Sequence, residues 1–150
     1  MSHPLAPQYE GKDVFVGTKT GSGKSLTYEC IPLIYSGSSV LIISPLVSIM
    51  SEQCKKLVEL GFSATYIGND HTEDEKILNC DYDFLYGSPE QLVGDMKWRE
   101  MLKTEVYQSK LRAIVVDEAH TVVQWYVIIP SVQIMIYVIC SYQIPYLSMQ

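Results

Sequence analysis

Two short runs, Val40–Ser44 (VLIIS) and Leu111–Val116 (LRAIVV), restrict the fold more than anything else in the chain. Both are β-branched and almost wholly apolar, with no alternation of polar and apolar residues. A strand of that kind has to be covered on both faces, which is the situation of a strand inside a parallel sheet. Between and around them lie segments of helical spacing. Leu46–Leu60 repeats apolar residues at Leu46, Ile49, Met50, Leu57 and Leu60, and Gly61 stops it. Further strands are expected at Asp13–Val16, Ser63–Ile67 and Asp83–Tyr86, and further helices at Leu26–Tyr35, Thr72–Leu78 and Pro89–Lys103. Thr72-Glu-Asp-Glu has the form of a capping box, and Gly94 interrupts the last helix. The alternation β-α-β-α-β-α-β implies an α/β protein, a parallel sheet flanked by helices on both faces.

Ligands of such sheets bind beyond the carboxyl ends of the strands. Four segments of chemical interest fall there: Gly17–Ser25, Ser44-Pro45, Gly87-Ser88-Pro89 and Asp117-Glu118. The first, Gly17-Thr18-Lys19-Thr20-Gly21-Ser22-Gly23-Lys24-Ser25, joins a strand to a helix. Gly21 and Gly23 let the backbone approach an anion closely, and converging N–H groups at a helix start would cradle phosphates. Lys24 would reach the β- and γ-phosphates, and the Ser25 hydroxyl would ligate Mg²⁺. The strict pattern places its first glycine at 18, where this chain carries Thr18. Asp117 follows a buried strand and can hold the same Mg²⁺. Glu118, pointing elsewhere, can orient and deprotonate an attacking water. A phosphate loop paired with adjacent acids for metal and base suits hydrolysis of a phosphate anhydride.

Composition sets limits on partners. With 150 residues and 47% hydrophobic content the chain is about one globular domain. Its net charge of −6 excludes holding nucleic acid by bulk electrostatics, so any such contact must be local. The four cysteines (30, 54, 80, 140) form no CxxC pair and lie at no zinc spacing with His3, His71 or His120. They read as reduced thiols. The N-terminus, MSHPLAPQYEGKD, has no apolar signal core. From Thr121 to Gln150 no charged side chain occurs. Buried strands would explain that. A membrane helix would also, but Pro130, Ser131, Gln133, Ser141 and Gln143 interrupt the run and no basic residue flanks it.

The stretches GTKTGSGKSLTYECIPL, LIISPLVSIMSEQCKKL, FLYGSPEQL and IVVDEAHTVVQW, in that order, resemble the first RecA-like domain of superfamily 2 helicases, and within them the RecQ-like DNA helicases. Tyr28 after Lys-Ser-Leu, the Ser-Pro-Leu opening, and Gln124-Trp125 after DEAH favour that branch. The resemblance covers about Gly11–Trp125. It implies a P-loop NTPase fold and an ATP site at Thr20, Gly21, Ser22, Gly23, Lys24 and Ser25. It further implies Mg²⁺ on Ser25 and Asp117, Glu118 as base, and His120 coupling nucleotide state to DNA. Ser44, Pro45, Ser88, Pro89, Gln124 and Trp125 fall at its nucleic-acid side. Its partner would be single-stranded or forked DNA, its movement 3′-to-5′, its work DNA repair and recombination, and its compartment the nucleus. An adenine-reading glutamine would lie upstream of Gly11, and Gln8 stands too near the loop to serve. No second RecA-like domain with arginine fingers has a counterpart here, so the domain reads as incomplete. The expected organisation is a truncated ATP-binding domain over 1–125 and a divergent apolar tail over 126–150. The alternative function is a nucleotide-binding interaction module without turnover.

Overall fold

The computed structural model describes residues 14–17, 25–117 and 135–140. Strand β1 (Val14–Gly17) leads toward two short helices, α1 (Leu26–Glu29) and α2 (Ile31–Ile34), followed by β2 (Ser39–Ile43) and the long α3 (Val47–Glu59). Then come β3 (Ala64–Tyr66), a 3₁₀ turn at His71–Glu73, α4 (Asp74–Leu78), β4 (Phe84–Gly87), α5 (Pro89–Gly94), α6 (Met96–Met101), α7 (Glu105–Lys110), β5 (Leu111–Asp117) and β6 (Met135–Cys140).

Local chemistry explains where these elements differ from the sequence expectations. The helix expected over Leu26–Tyr35 is split at Cys30, because Pro32 has no N–H to donate to the Tyr28 carbonyl. The start at Thr72 is capped from outside: the Asp70 carboxylate accepts from the Thr72 N–H at 2.9 Å. The Pro89–Lys103 segment breaks at Asp95, whose extended backbone and side chain cap α6 through the Lys97 N–H. Helix α7 was not expected. It is short, and Thr104 caps it. On α3 only Met50, Cys54 and Leu57 are buried, while Leu46 and Leu60 face solvent at its ends. Gly61 does end the helix, with a φ of +96° that other residues adopt only under strain.

All six strands are parallel, in the order β1-β6-β5-β2-β4-β3. Strict alternation sorts the inner strands onto two cores. Leu41, Ile43, Leu85, Ile114 and Val116 pack under α4–α7 with Leu92, Trp98 and Met101. Val40, Ile42, Phe84, Tyr86, Ala113 and Val115 pack under α1–α3 with Tyr28, Ile31, Met50 and Leu57. The apolar run at the end of the chain supplies a strand to the middle of the sheet, since β6 pairs with β1 on one side and β5 on the other. A parallel strand with partners on both sides selects uncharged, β-branched sequence, which is what Met135–Cys140 (MIYVIC) offers. Among the described residues no helix is long and apolar enough to cross a membrane.

Candidate nucleotide and nucleic-acid site

The register of the sheet assembles the rim. Val16 of β1 stands level with Ile139 of β6, and Ile139 level with Asp117 of β5. The strand that runs into the glycine-rich loop and the strand that ends in Asp117 are therefore two strand spacings apart, about 10 Å. Ile43 of β2 is level with both Val116 and Gly87. Ser44, Ser88 and Asp117 consequently lie at one height along the same carboxyl edge. The neighbouring strands β2 and β5 lead on in opposite directions across the sheet, β2 toward β3 and β5 toward β6, and between such strands lies the crevice where α/β sheets bind ligands.

Ser25 opens α1. Its carbonyl accepts from the N–H groups of Tyr28 (3.2 Å) and Glu29 (2.9 Å), which fixes the turn between loop and helix. Asp117 is half-buried at the end of β5 and falls, by alternation, on the α1 face with Ala113 and Val115. Ser44 follows Val40 and Ile42 on that face. It is only 1% exposed, its N–H donates to the Gly87 carbonyl at 3.0 Å, and its hydroxyl has no partner among the described residues. Pro45 beside it is half-buried. Ser88 is buried and its hydroxyl caps α5 by accepting from the Gln91 N–H at 3.3 Å, while Pro89 forms the first, half-buried turn. Thr20, Gly21, Ser22, Gly23, Lys24, Glu118, His120, Gln124 and Trp125 lie outside the described residues.

The Ser25 hydroxyl, the Asp117 carboxylate and the Ser44 hydroxyl, buried without a partner among the described residues, are hard oxygen groups of the kind Mg²⁺ prefers. Mg²⁺ in nucleotide sites keeps waters and phosphate oxygens as most of its ligands, so one or two protein oxygens suffice.

Three residues here were not singled out from sequence as parts of the site. Gln91 receives the Ser88 N–H on its Oε1 at 3.0 Å and donates from Nε2 to the Ile67 carbonyl at 2.9 Å. It thereby ties the turn after β3 to the turn after β4. Gly68 leaves room for it, since a Cβ there would stand 3.1 Å from Gln91 Nε2. The Ser-Pro-Glu-Gln spacing was a possible signal for this capping box. Gln91→Leu keeps the volume but strands a buried carbonyl and an N–H, and is expected to lower stability by about 1–3 kcal/mol in urea unfolding. The other two are Tyr28 and Tyr86. Burial, reinforced by the negative charge of Asp117, pushes the Tyr28 hydroxyl well above the ordinary tyrosine range, and burial does the same for Tyr86. On the same face burial pushes the Cys54 thiol up to about 12, so it stays protonated and unreactive.

A wholly parallel sheet flanked by helices, with Asp117 at the carboxyl end of one strand, defines an α/β protein of RecA-like fold. The chain matches the DEAD/DEAH box helicase model over residues 3–145, and it belongs to that family. It is 34% identical over 125 residues to the ATP-dependent helicase SGS1 of Saccharomyces cerevisiae, covering 77% of this chain and 9% of that protein. It is 32% identical over 123 residues to the ATP-dependent DNA helicase Q1 of Rattus norvegicus, covering 76% of this chain and 20% of that one. The RecQ resemblance read from the motifs is borne out by these relatives. Among solved structures, the Mycobacterium smegmatis helicase Lhr, bound to ssDNA and AMP-PNP, superposes with a TM-score of 0.58 at 17% identity. It covers 94% of this chain and 23% of that one, a likeness of fold.

Proposed function

We propose that this chain is the ATP-binding part of a RecQ-like DNA helicase, which in the whole protein couples ATP hydrolysis to 3′-to-5′ unwinding of single-stranded or forked DNA. The observation that carries the reading is the register that brings the strand before Lys24 and the strand ending in Asp117 to one rim, two strand spacings apart, in a DEAD/DEAH box chain. The backbone of Thr20–Gly23 cradles the phosphates and Lys24 neutralises the β- and γ-phosphates. Ser25 and Asp117 hold Mg²⁺, which when bound offsets charge that develops on the phosphate oxygens. Glu118 takes the proton of the attacking water, and His120 reports the nucleotide state to the DNA side.

The DNA side comprises Ser44, Pro45, Ser88, Pro89, Gln124 and Trp125. The negative net charge supports a local mode of contact, through backbone N–H groups and ring surfaces in place of a basic groove. The nucleus is the compartment that fits such work in a eukaryotic relative. In P-loop enzymes an arginine finger contributes about 10³–10⁵ in rate. Assayed as 150 residues, the chain is therefore expected to bind ATP far better than it turns it over.

The test is phosphate release with and without oligo-dT, beside titration with a fluorescent ATP analogue. Mg²⁺-dependent binding with slow, DNA-stimulated turnover supports the reading. Binding with no turnover at any DNA concentration favours the interaction module instead, and absence of nucleotide binding overturns both.

A further inference from the structure

The ends of β2, β3 and β4 are tied together at the carboxyl edge of the sheet. The Ser44 N–H donates to the Gly87 carbonyl at 3.0 Å, and the Ile67 N–H donates to the Tyr86 carbonyl at 2.9 Å. Ile67 and Leu92 close over Gly87, where a Cβ would stand 3.2 Å from Ile67 Cδ1 and 3.3 Å from Leu92 Cδ1. After β3 the chain turns at once: the Asn69 N–H donates to the Tyr66 carbonyl at 3.1 Å. The turns after β3 and β4 therefore lie against each other. Neither residues 67–70 nor residues 87–92 include a lysine or an arginine.

Gln91 completes this junction with its side chain. The two partners of its amide require opposite chemistry, since Ser88 presents an N–H and Ile67 a carbonyl. A carboxamide offers an acceptor to the first and a donor to the second, so the amide can face only one way. The Gln91 main chain holds Ser88 as well, its N–H donating to the Ser88 hydroxyl oxygen at 3.3 Å. Gln91 thus occupies both the Ser88 N–H and one lone pair of its hydroxyl. The proton of that hydroxyl is committed to no acceptor among the described residues. What Ser88 still has to give is one O–H donor, and the bond its oxygen already accepts restricts where that donor points.

We infer that Gln91 is a positioning residue for the nucleic-acid side: by fixing the turn after β4 against the turn after β3, it holds the Ser88 hydroxyl as a donor for a phosphate oxygen of the bound strand. This rests on the assignment of Ser88 to the DNA side proposed above. The Gln91 side chain spends its amide on the protein and touches no nucleic acid. A neutral donor suits a stretch of edge without basic side chains, and a phosphate contact carries no sequence information.

The test is fluorescence anisotropy of labelled oligo-dT titrated with the 150-residue chain, at a temperature where circular dichroism shows every variant folded. The variants are Ser88→Ala, Gln91→Leu and the two combined, with mant-ATP titrated beside each Gln91 variant. Ser88→Ala and Gln91→Leu are each expected to weaken oligo-dT binding by about threefold to tenfold. The double variant should lose no more than Ser88→Ala, because Gln91 acts through that hydroxyl. Affinity of Gln91→Leu for mant-ATP should stay within twofold of wild type. Oligo-dT binding by Gln91→Leu as tight as wild type or tighter, losses that add in the double variant, or an equal loss of mant-ATP binding would each overturn the inference. If Gln91→Leu does not fold, Gln91→Asn decides by the same comparisons, since its amide is too short to reach both partners. A wild-type chain that binds no oligo-dT, or Ser88→Ala binding it unchanged, refutes the DNA side of the proposed function, and the inference falls with it. Weakened binding by Ser88→Ala with none by Gln91→Leu refutes the inference alone.

Discussion

Replacing Val138 by proline is expected to unfold the domain at ordinary temperature or to lower its urea midpoint sharply. Val138 is level with Phe15 on one side and Val116 on the other, so its main chain lies between two parallel ladders. Proline removes the N–H that such a position donates and places a ring where the neighbouring strand packs, so it is confined in natural sheets to edges and bulges. The expected loss is about 3 kcal/mol or more, a large part of the 5–15 kcal/mol that holds a typical domain. Far-UV circular dichroism in urea reads the effect. The opposing reading of the uncharged run from Thr121 to Gln150 as a membrane segment makes a different forecast: the helicase-like part would melt as before, and only membrane association would change. An unshifted midpoint would remove β6 from the sheet.

The other large effect is expected at Lys24. Lys24→Ala should weaken ATP binding by about tenfold to a hundredfold, the value of losing charge-assisted bonds to the terminal phosphates. AMP affinity should change much less, because the role proposed for the lysine is at the β- and γ-phosphates and AMP has neither. The ligand-free melting temperature should stay where it is. Paired isothermal titrations with ATP and AMP check this. Equal losses for the two nucleotides would mean that the lysine acts on the loop and not on the phosphates.

Much of the sheet was readable because its strands are covered on both faces. Val40–Ile43 and Leu111–Val116 have to be apolar throughout, and that leaves a signature needing no partner information. The rim was readable for a related reason: in a parallel sheet every carboxyl end points the same way, so motifs at strand ends must share an edge. Helix boundaries were less legible. Whether Leu26–Tyr35 runs on or breaks depends on one missing N–H at Pro32, and Thr72–Leu78 is capped by Asp70 two residues before its apparent start. Those details turn on single hydrogen bonds, which weigh little in any pattern of hydrophobicity.

Strand order was not readable at all. Nothing in MIYVIC says that it inserts between β1 and β5, because an apolar run records only that water is excluded. The Gln91 bridge was hidden for the same reason. Its amide reaches a carbonyl on a different strand connection. Residue type and local spacing decided the class of fold and the place of Asp117 at the end of a strand, since those follow from backbone geometry near each residue. Which strands adjoin and which side chains, such as Gln91, bridge separate strand connections were decided only by tertiary packing, because they depend on groups brought together across the sheet.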